Sequence, residues 1–172
     1  MSTLSVDTIQ GQTTAANVFI SGHVIQHHQH RITGATTWAP GTSGTYIDLT
    51  GSSFSFTPKQ SGSKLLISCI THFYLEGSGG AWHAATARLV VDGNNQSHTG
   101  TDGGGYNVGI RDTDGASGQT TRLMAYGSQD HEYTTTGTSA ITIKVQVLKQ
   151  DGGNIYVNKY GRSTITVLEI AQ

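Results

Sequence analysis

The feature that most narrows the fold is side-chain alternation with a period of two. In AITIKVQVLKQ, Ile141, Ile143, Val145, Val147 and Lys149 fall on one face of an extended chain. Thr142, Lys144, Gln146 and Leu148 fall on the other. In STITVLEIAQ, Ile165, Val167 and Glu169 oppose Thr164, Thr166, Leu168 and Ile170. No window of a dozen residues carries a helical apolar stripe free of Gly and β-branched residues. Short runs rich in Val, Ile, Thr, Tyr and Phe recur instead, bounded by Gly, Asn and Ser. They predict strands at about 18–32, 45–50, 53–57, 63–76, 82–92, 105–111, 119–128, 139–149, 154–158 and 163–170. TSGT, DGNN, DGGG and DGGN punctuate them as turns, and Pro58 closes the FSF strand. So many short strands imply an all-β chain folded as a jelly-roll-like β-sandwich. The last strand is apolar on both faces near its end. That places it mid-sheet, between a core and a subunit contact, with Leu168 and Ile170 as interface residues.

Composition limits what such a sandwich does. Charged residues make up 12% and the net charge is −1, so there is no basic surface for nucleic acid. No apolar run approaches the ~18 residues of a membrane span. Gly contributes 23 of 172 residues, well above the usual share. Gly, Ser and Thr around organised apolar runs fit an extracellular or virion protein. Cys69, the only cysteine, lies in the apolar run KLLISCITHFYL, which excludes an internal disulfide and marks a small buried hydrophobe. The opening MSTLSVDTIQGQTTAANVFISG lacks a basic region followed by an apolar one, so it reads as no secretory signal. Its apolar residues are too sparse for a core. Residues 1–20 therefore read as an attachment arm, with Leu4, Val6 and Ile9 as docking residues, ahead of a domain at 21–172.

Taken in order, several segments resemble marine bacteriophage fibre-type virion structural proteins. MSTLSVDTIQGQTTA followed by SGHVIQ resembles their LxVDTIQ opening and GxVIQ strand. YIDLTGSSFSFTPKQSGSKLLIS resembles their strand, turn, strand and Pro element. TSAITIKVQVLKQDGGNIYVNKYGRSTITVLEIAQ resembles their closing hairpin. The likeness spans nearly the whole chain. It implies a homotrimeric virion structural protein of tumour-necrosis-factor-like jelly-roll type, assembled in the host cytoplasm and released by lysis. A tail fibre or spike touching the host surface, a head decoration or cement protein clamping capsid subunits through the arm, and a glycan-binding module all stay open. The expected partners are other copies, tail or capsid proteins, and a host-surface glycan. The histidines after VIQ depart from the group, which more often carries aliphatic residues there.

Those histidines form the densest cluster of ligating side chains. HVIQHHQHRI holds His23, His27, His28 and His30. On a strand, Val24, Gln26, His28, His30 and Ile32 line one side, and His23, Ile25, His27, Gln29 and Arg31 the other. One chain pairs only His28 and His30, too few for a strong site. Three copies about an axis would supply enough imidazoles for an octahedral transition metal. A polar strand without metal and a pH-sensitive interface are the alternatives. No other cofactor is indicated. Asp112, Asp114 and Gly115 in DTDG weakly resemble a calcium loop but lack its spaced ligands. Trp82, His83, His98 and Tyr106 flank Gly-rich loops and could stack on a surface glycan. Enzyme activity is not expected. Ser, His and Asp are plentiful without a nucleophile elbow, and Glu76, Glu132 and Glu169 have no distinctive local context.

Overall fold

The computed structural model describes residues 20–33, 36–38, 45–78, 82–96, 106–111, 120–149 and 154–172. Twelve strands lie among them: β1 Val24–Ile32, β2 Thr36–Trp38, β3 Ile47–Asp48, β4 Phe54–Phe56, β5 Lys64–Ser78 and β6 Trp82–Val91 come first. β7 Asn94–Gln96, β8 Tyr106–Arg111, β9 Thr120–Thr134, β10 Ile141–Lys149, β11 Asn154–Val157 and β12 Ser163–Ile170 follow. They form two six-stranded sheets. Pairing is antiparallel throughout the described ladders. Leu4, Val6 and Ile9, expected to dock an attachment arm, lie outside the described residues, as do Asp112, Asp114 and Gly115 of the DTDG segment.

One sheet is built on β5. β9 runs along one of its edges, and β12 and then β11 share the other. β1 adds beyond β12, and β2 beyond β11. The second sheet is built on β10 and β6, flanked by β3 and β4 on one side and β7 and β8 on the other. The chain crosses repeatedly between the two sheets, as from β4 to β5, β5 to β6, β8 to β9, β9 to β10 and β10 to β11, and it is an all-β, jelly-roll-like sandwich.

The alternation read from the sequence builds the core. Ile143, Val145 and Val147 of β10 face Ile165 and Val167 of β12, with Leu65, Ile67, Cys69, Phe73 and Leu75 of β5 and Leu89 and Val91 of β6, all buried. Burying each such large aliphatic or aromatic side chain contributes about 1.5–3 kcal/mol. Cys69 is the buried small hydrophobe expected of it. Gln129 of β9 is a polar peg between the sheets. Its Oε1 accepts from Leu89 N at 2.9 Å and its Nε2 donates to Gln96 O at 2.6 Å.

The strand expected at 18–32 starts at Val24, and its parity breaks at one place. The β1–β12 register shifts between Val24 and Gln26, so Val24 pairs with Ile170 while Gln26 pairs with Glu169. This bulge puts Val24 on the opposite face from Gln26, His28 and His30. The expected β9 is also too short, since pairing with β5 continues to Thr134.

Candidate functional site

Residues paired directly across antiparallel strands share a face. The outer face of the β5 sheet therefore follows from its register. One row reads His27, Leu168, Leu66 and Glu132, and the next Gln29, Thr166, Ser68 and Asp130. Arg31, Thr164, Ile70 and Ser128 follow. Further along β5, His72 pairs with Tyr126, and Tyr74 with both Tyr156 and Met124. Eight large apolar residues are exposed among the described residues, and six gather here. Val24, Leu66, Ile70, Met124 and Tyr126 lie on this face, and Tyr160 lies in the turn at 158–162 above it. Such clustering, unlike scattered apolar residues, singles this face out as a candidate interaction surface.

The face has two halves. Toward the start of β5, Leu66, Ser68, Thr166, Leu168, Asp130 and Glu132 line a groove of about 380 Å³. Leu168, expected at a subunit contact, is half-buried in this groove, and Ile170 lies one row away, paired with Lys64 and Val24. Toward the end of β5, Tyr74, Arg122, Met124 and Tyr160 line a second recess, of about 530 Å³. Lys159 Nζ stands 3.8 Å from the Tyr156 ring centroid, 4.6 Å from that of Tyr74 and 5.4 Å from that of Tyr160. Glu76 accepts from Arg122 Nε at 3.1 Å and, at 3.4 Å, from the hydroxyls of Tyr74 and Tyr156. Burial raises the Tyr74 phenol above its ordinary range, and the Glu76 hydrogen bond raises the Arg122 guanidinium further. The sequence concealed this cluster because Tyr74, Arg122 and Tyr156 are far apart in the chain. Its available signal was the outward parity of Tyr74 and Glu76 on β5.

Between the halves sits His72. It is only 2% exposed, and its Nδ1 has no hydrogen-bond partner among the described residues. Tyr126 meets it edge-on at 4.9 Å and Gly161 lies against its ring. Burial lowers its pKa below the ordinary histidine value. The unfolded chain then takes up the proton first as pH falls, so the contribution is complete above about pH 6.5 and is lost below it. We expect the melting temperature of wild type to fall more steeply from pH 7 to about pH 5 than that of His72→Leu. Parallel curves from differential scanning calorimetry would refute this assignment.

His28 and His30 share a face, as the alternation requires, but it is the inner one. Their rings stack on Phe54 of the opposite sheet at 4.8 and 4.6 Å. His30 Nε2 is 2.8 Å from Gly51 O, whereas His28 Nε2 has no partner among the described residues. His27, Gln29 and Arg31 occupy the outer side. Among the described residues no group of three or more His, Cys, Asp or Glu stands together as a metal site. Trp82 and His83 open β6, and Tyr106 opens β8. The β6–β8 register pairs Trp82 with Arg111 and Tyr106 with Ala87, at opposite ends of that ladder. His98 lies outside the described residues.

Glu169 was given no distinctive role by its local sequence, yet among the described residues it is the most heavily engaged carboxylate. It is fully buried on the inner side of β12. Its oxygens accept from Lys59 N at 2.9 and 3.0 Å, Gln60 N at 3.1 Å and Ser63 Oγ at 2.7 Å. With the Gln26 amide nitrogen turned toward its acceptors, that group donates to Glu169 Oε2 at 3.1 Å and Thr57 O at 3.2 Å.

No protein-family model matches the sequence, and no curated protein matches it. Solved structures do. The sugar-binding C-terminal domain of EclA is 10% identical with a TM-score of 0.38, covering 92% of this chain and 89% of that one. Infectious bursal disease virus, Gx strain, is 12% identical with a TM-score of 0.41, covering 99% of this chain and 42% of the viral one. Dimeric latent PorU from Porphyromonas gingivalis is 9% identical with a TM-score of 0.43, covering 94% of this chain and 14% of that one. At these scores the likenesses carry no argument about what this chain does.

Proposed function

We propose that this chain is a non-catalytic structural subunit of a bacteriophage virion appendage, a tail fibre or spike. It assembles as a tumour-necrosis-factor-like homotrimer through the Leu66–Leu168 half of the outer face of the β5 sheet. The observation that carries the reading is the apolar groove at Leu66 and Leu168 on an otherwise weakly charged chain. The segments resembling fibre-type phage proteins supply the particle, and parity on β12 supplies the contact. The carboxylates fit a non-catalytic role: Glu169 is saturated by donors, and Glu76 is tied to Arg122 and two tyrosines.

Light scattering of the purified chain is expected to give three times its 18.2 kDa mass. Leu66→Asp places a charge in the groove, where it would be desolvated in an assembly but hydrated in a monomer. The variant should be a folded monomer, with a melting temperature that no longer depends on protein concentration. Leu168→Asp should behave alike. Wild type that stays monomeric at micromolar concentration would refute the self-association. In purified phage particles, a few to tens of copies fit a fibre. Hundreds would instead place the chain on the head as a decoration protein.

A further inference from the structure

We propose that the recess formed by Tyr74, Tyr160, Met124 and Arg122 binds an acidic saccharide, a sugar ring bearing a carboxylate. Tyr160 is 65% exposed and Met124 63%, so both offer apolar surface at the mouth of a recess of about 530 Å³. That volume suits one or two pyranose rings, small-molecule sites running from about 300 to 1,000 Å³. A pyranose has a C–H face that packs on an aromatic ring and a rim of hydroxyls that needs hydrogen-bonding groups. The recess supplies both. Tyr160 meets Tyr74 at 83° with centroids 5.0 Å apart, which fixes one ring as a wall against another. Arg122 and Tyr74 of the lining are linked through Glu76, which accepts from both and from the Tyr156 hydroxyl behind them.

Charge selects the acid. Among the described residues, Lys159 and Arg122 set two positive charges around the single carboxylate of Glu76. Among these described groups the excess is positive, although the chain as a whole carries −1. Arg122 binds Glu76 through Nε, and its side chain is 65% exposed. A guanidinium engaged on one edge retains further N–H donors for a second carboxylate. Asp130 and Glu132 lie with the other half of the face, paired with Ser68 and Leu66, well along β5 from Tyr74. The site does not coincide with the groove proposed for self-association, and its test is independent of that reading.

Isothermal titration of the full chain with sialyllactose and with a uronic-acid trisaccharide, against neutral lactose and maltotriose, tests the proposal. Expected is millimolar or tighter binding of at least one acidic sugar, about tenfold tighter than either neutral one, the scale of a charge-assisted hydrogen bond. Tyr160→Ala and Arg122→Ala should each weaken it tenfold or more. Tyr160→Phe, which keeps the ring face, should not. Tyr160 is exposed, so its truncation leaves the core intact. Absence of binding by every sugar overturns the site. Neutral sugars bound as well as acidic ones overturn its charge selectivity. Binding unchanged in Tyr160→Ala moves it elsewhere on the protein.

Discussion

Glu169→Ala is expected to remove about 2–5 kcal/mol of stability, a large share of the ~5–15 kcal/mol that holds a domain of this kind folded. The carboxylate is fully buried and is the acceptor for both Lys59 N and Gln60 N, with Ser63 Oγ beside them. Truncation strands those two backbone N–H groups in a water-poor site, at about 1–3 kcal/mol for each buried unsatisfied donor. It also leaves a cavity and frees the Gln26 amide of β1 from β12. Glu169→Gln should cost less, because one carbonyl oxygen still accepts while the new NH₂ opposes a donor. Urea denaturation measures both. The Ala variant should show a lowered midpoint at unchanged slope. A loss under about 1 kcal/mol would mean that water or a shifted turn replaces the carboxylate.

Glu169 also shows how far the sequence could be read. Alternation placed it on the buried face with Ile165 and Val167, and that is where it lies. What it does there was hidden, since its donors belong to a turn about 110 residues earlier in the chain. The sandwich was legible because β10 and β12 carry their burial pattern in their own residues. The last six residues of β9, QDHEYT, were missed because a polar run gives no apolar period. Its Gln129 is buried through hydrogen bonds to β6 and β7 instead. β2 and β7 are three residues each, too short to show a period. For His28 and His30 the shared face was correct. That Phe54 fills the space between their rings is an inter-sheet contact that no single strand's period reports. The Tyr74 recess depends on the same kind of long-range pairing, through β5, β9 and β11.

Gly161→Ala is expected to destabilise the chain by about 1–3 kcal/mol or more, although it adds a single methyl group. A Cβ at this position would stand 2.6 Å from His72 Cγ and 2.8 Å from His72 Nε2, with Cδ2 nearer still. Real Cβ atoms do not approach that closely, so either the ring or the turn must move. The ring is hemmed in: His72 is 2% exposed, with Tyr126 edge-on against it. The turn is pinned as well. Asn158 adopts a positive φ of 63°, its Oδ1 accepts from Ser163 Oγ at 2.6 Å and its Nδ2 donates to Ile32 O at 3.3 Å. Asn tolerates that left-handed backbone better than most residues, which lets the chain close over His72. The clash is local to one pair, so removing the ring should relieve it. In a double-mutant cycle, Gly161→Ala in a His72→Ala background should cost far less than in wild type, giving a coupling of about 1 kcal/mol or more. Because Lys159 and Tyr160 ride on the same turn, Gly161→Ala should also disturb the Lys159 contacts with Tyr74 and Tyr156. Equal costs in the two backgrounds would show that Gly161 is required for something other than room for the imidazole.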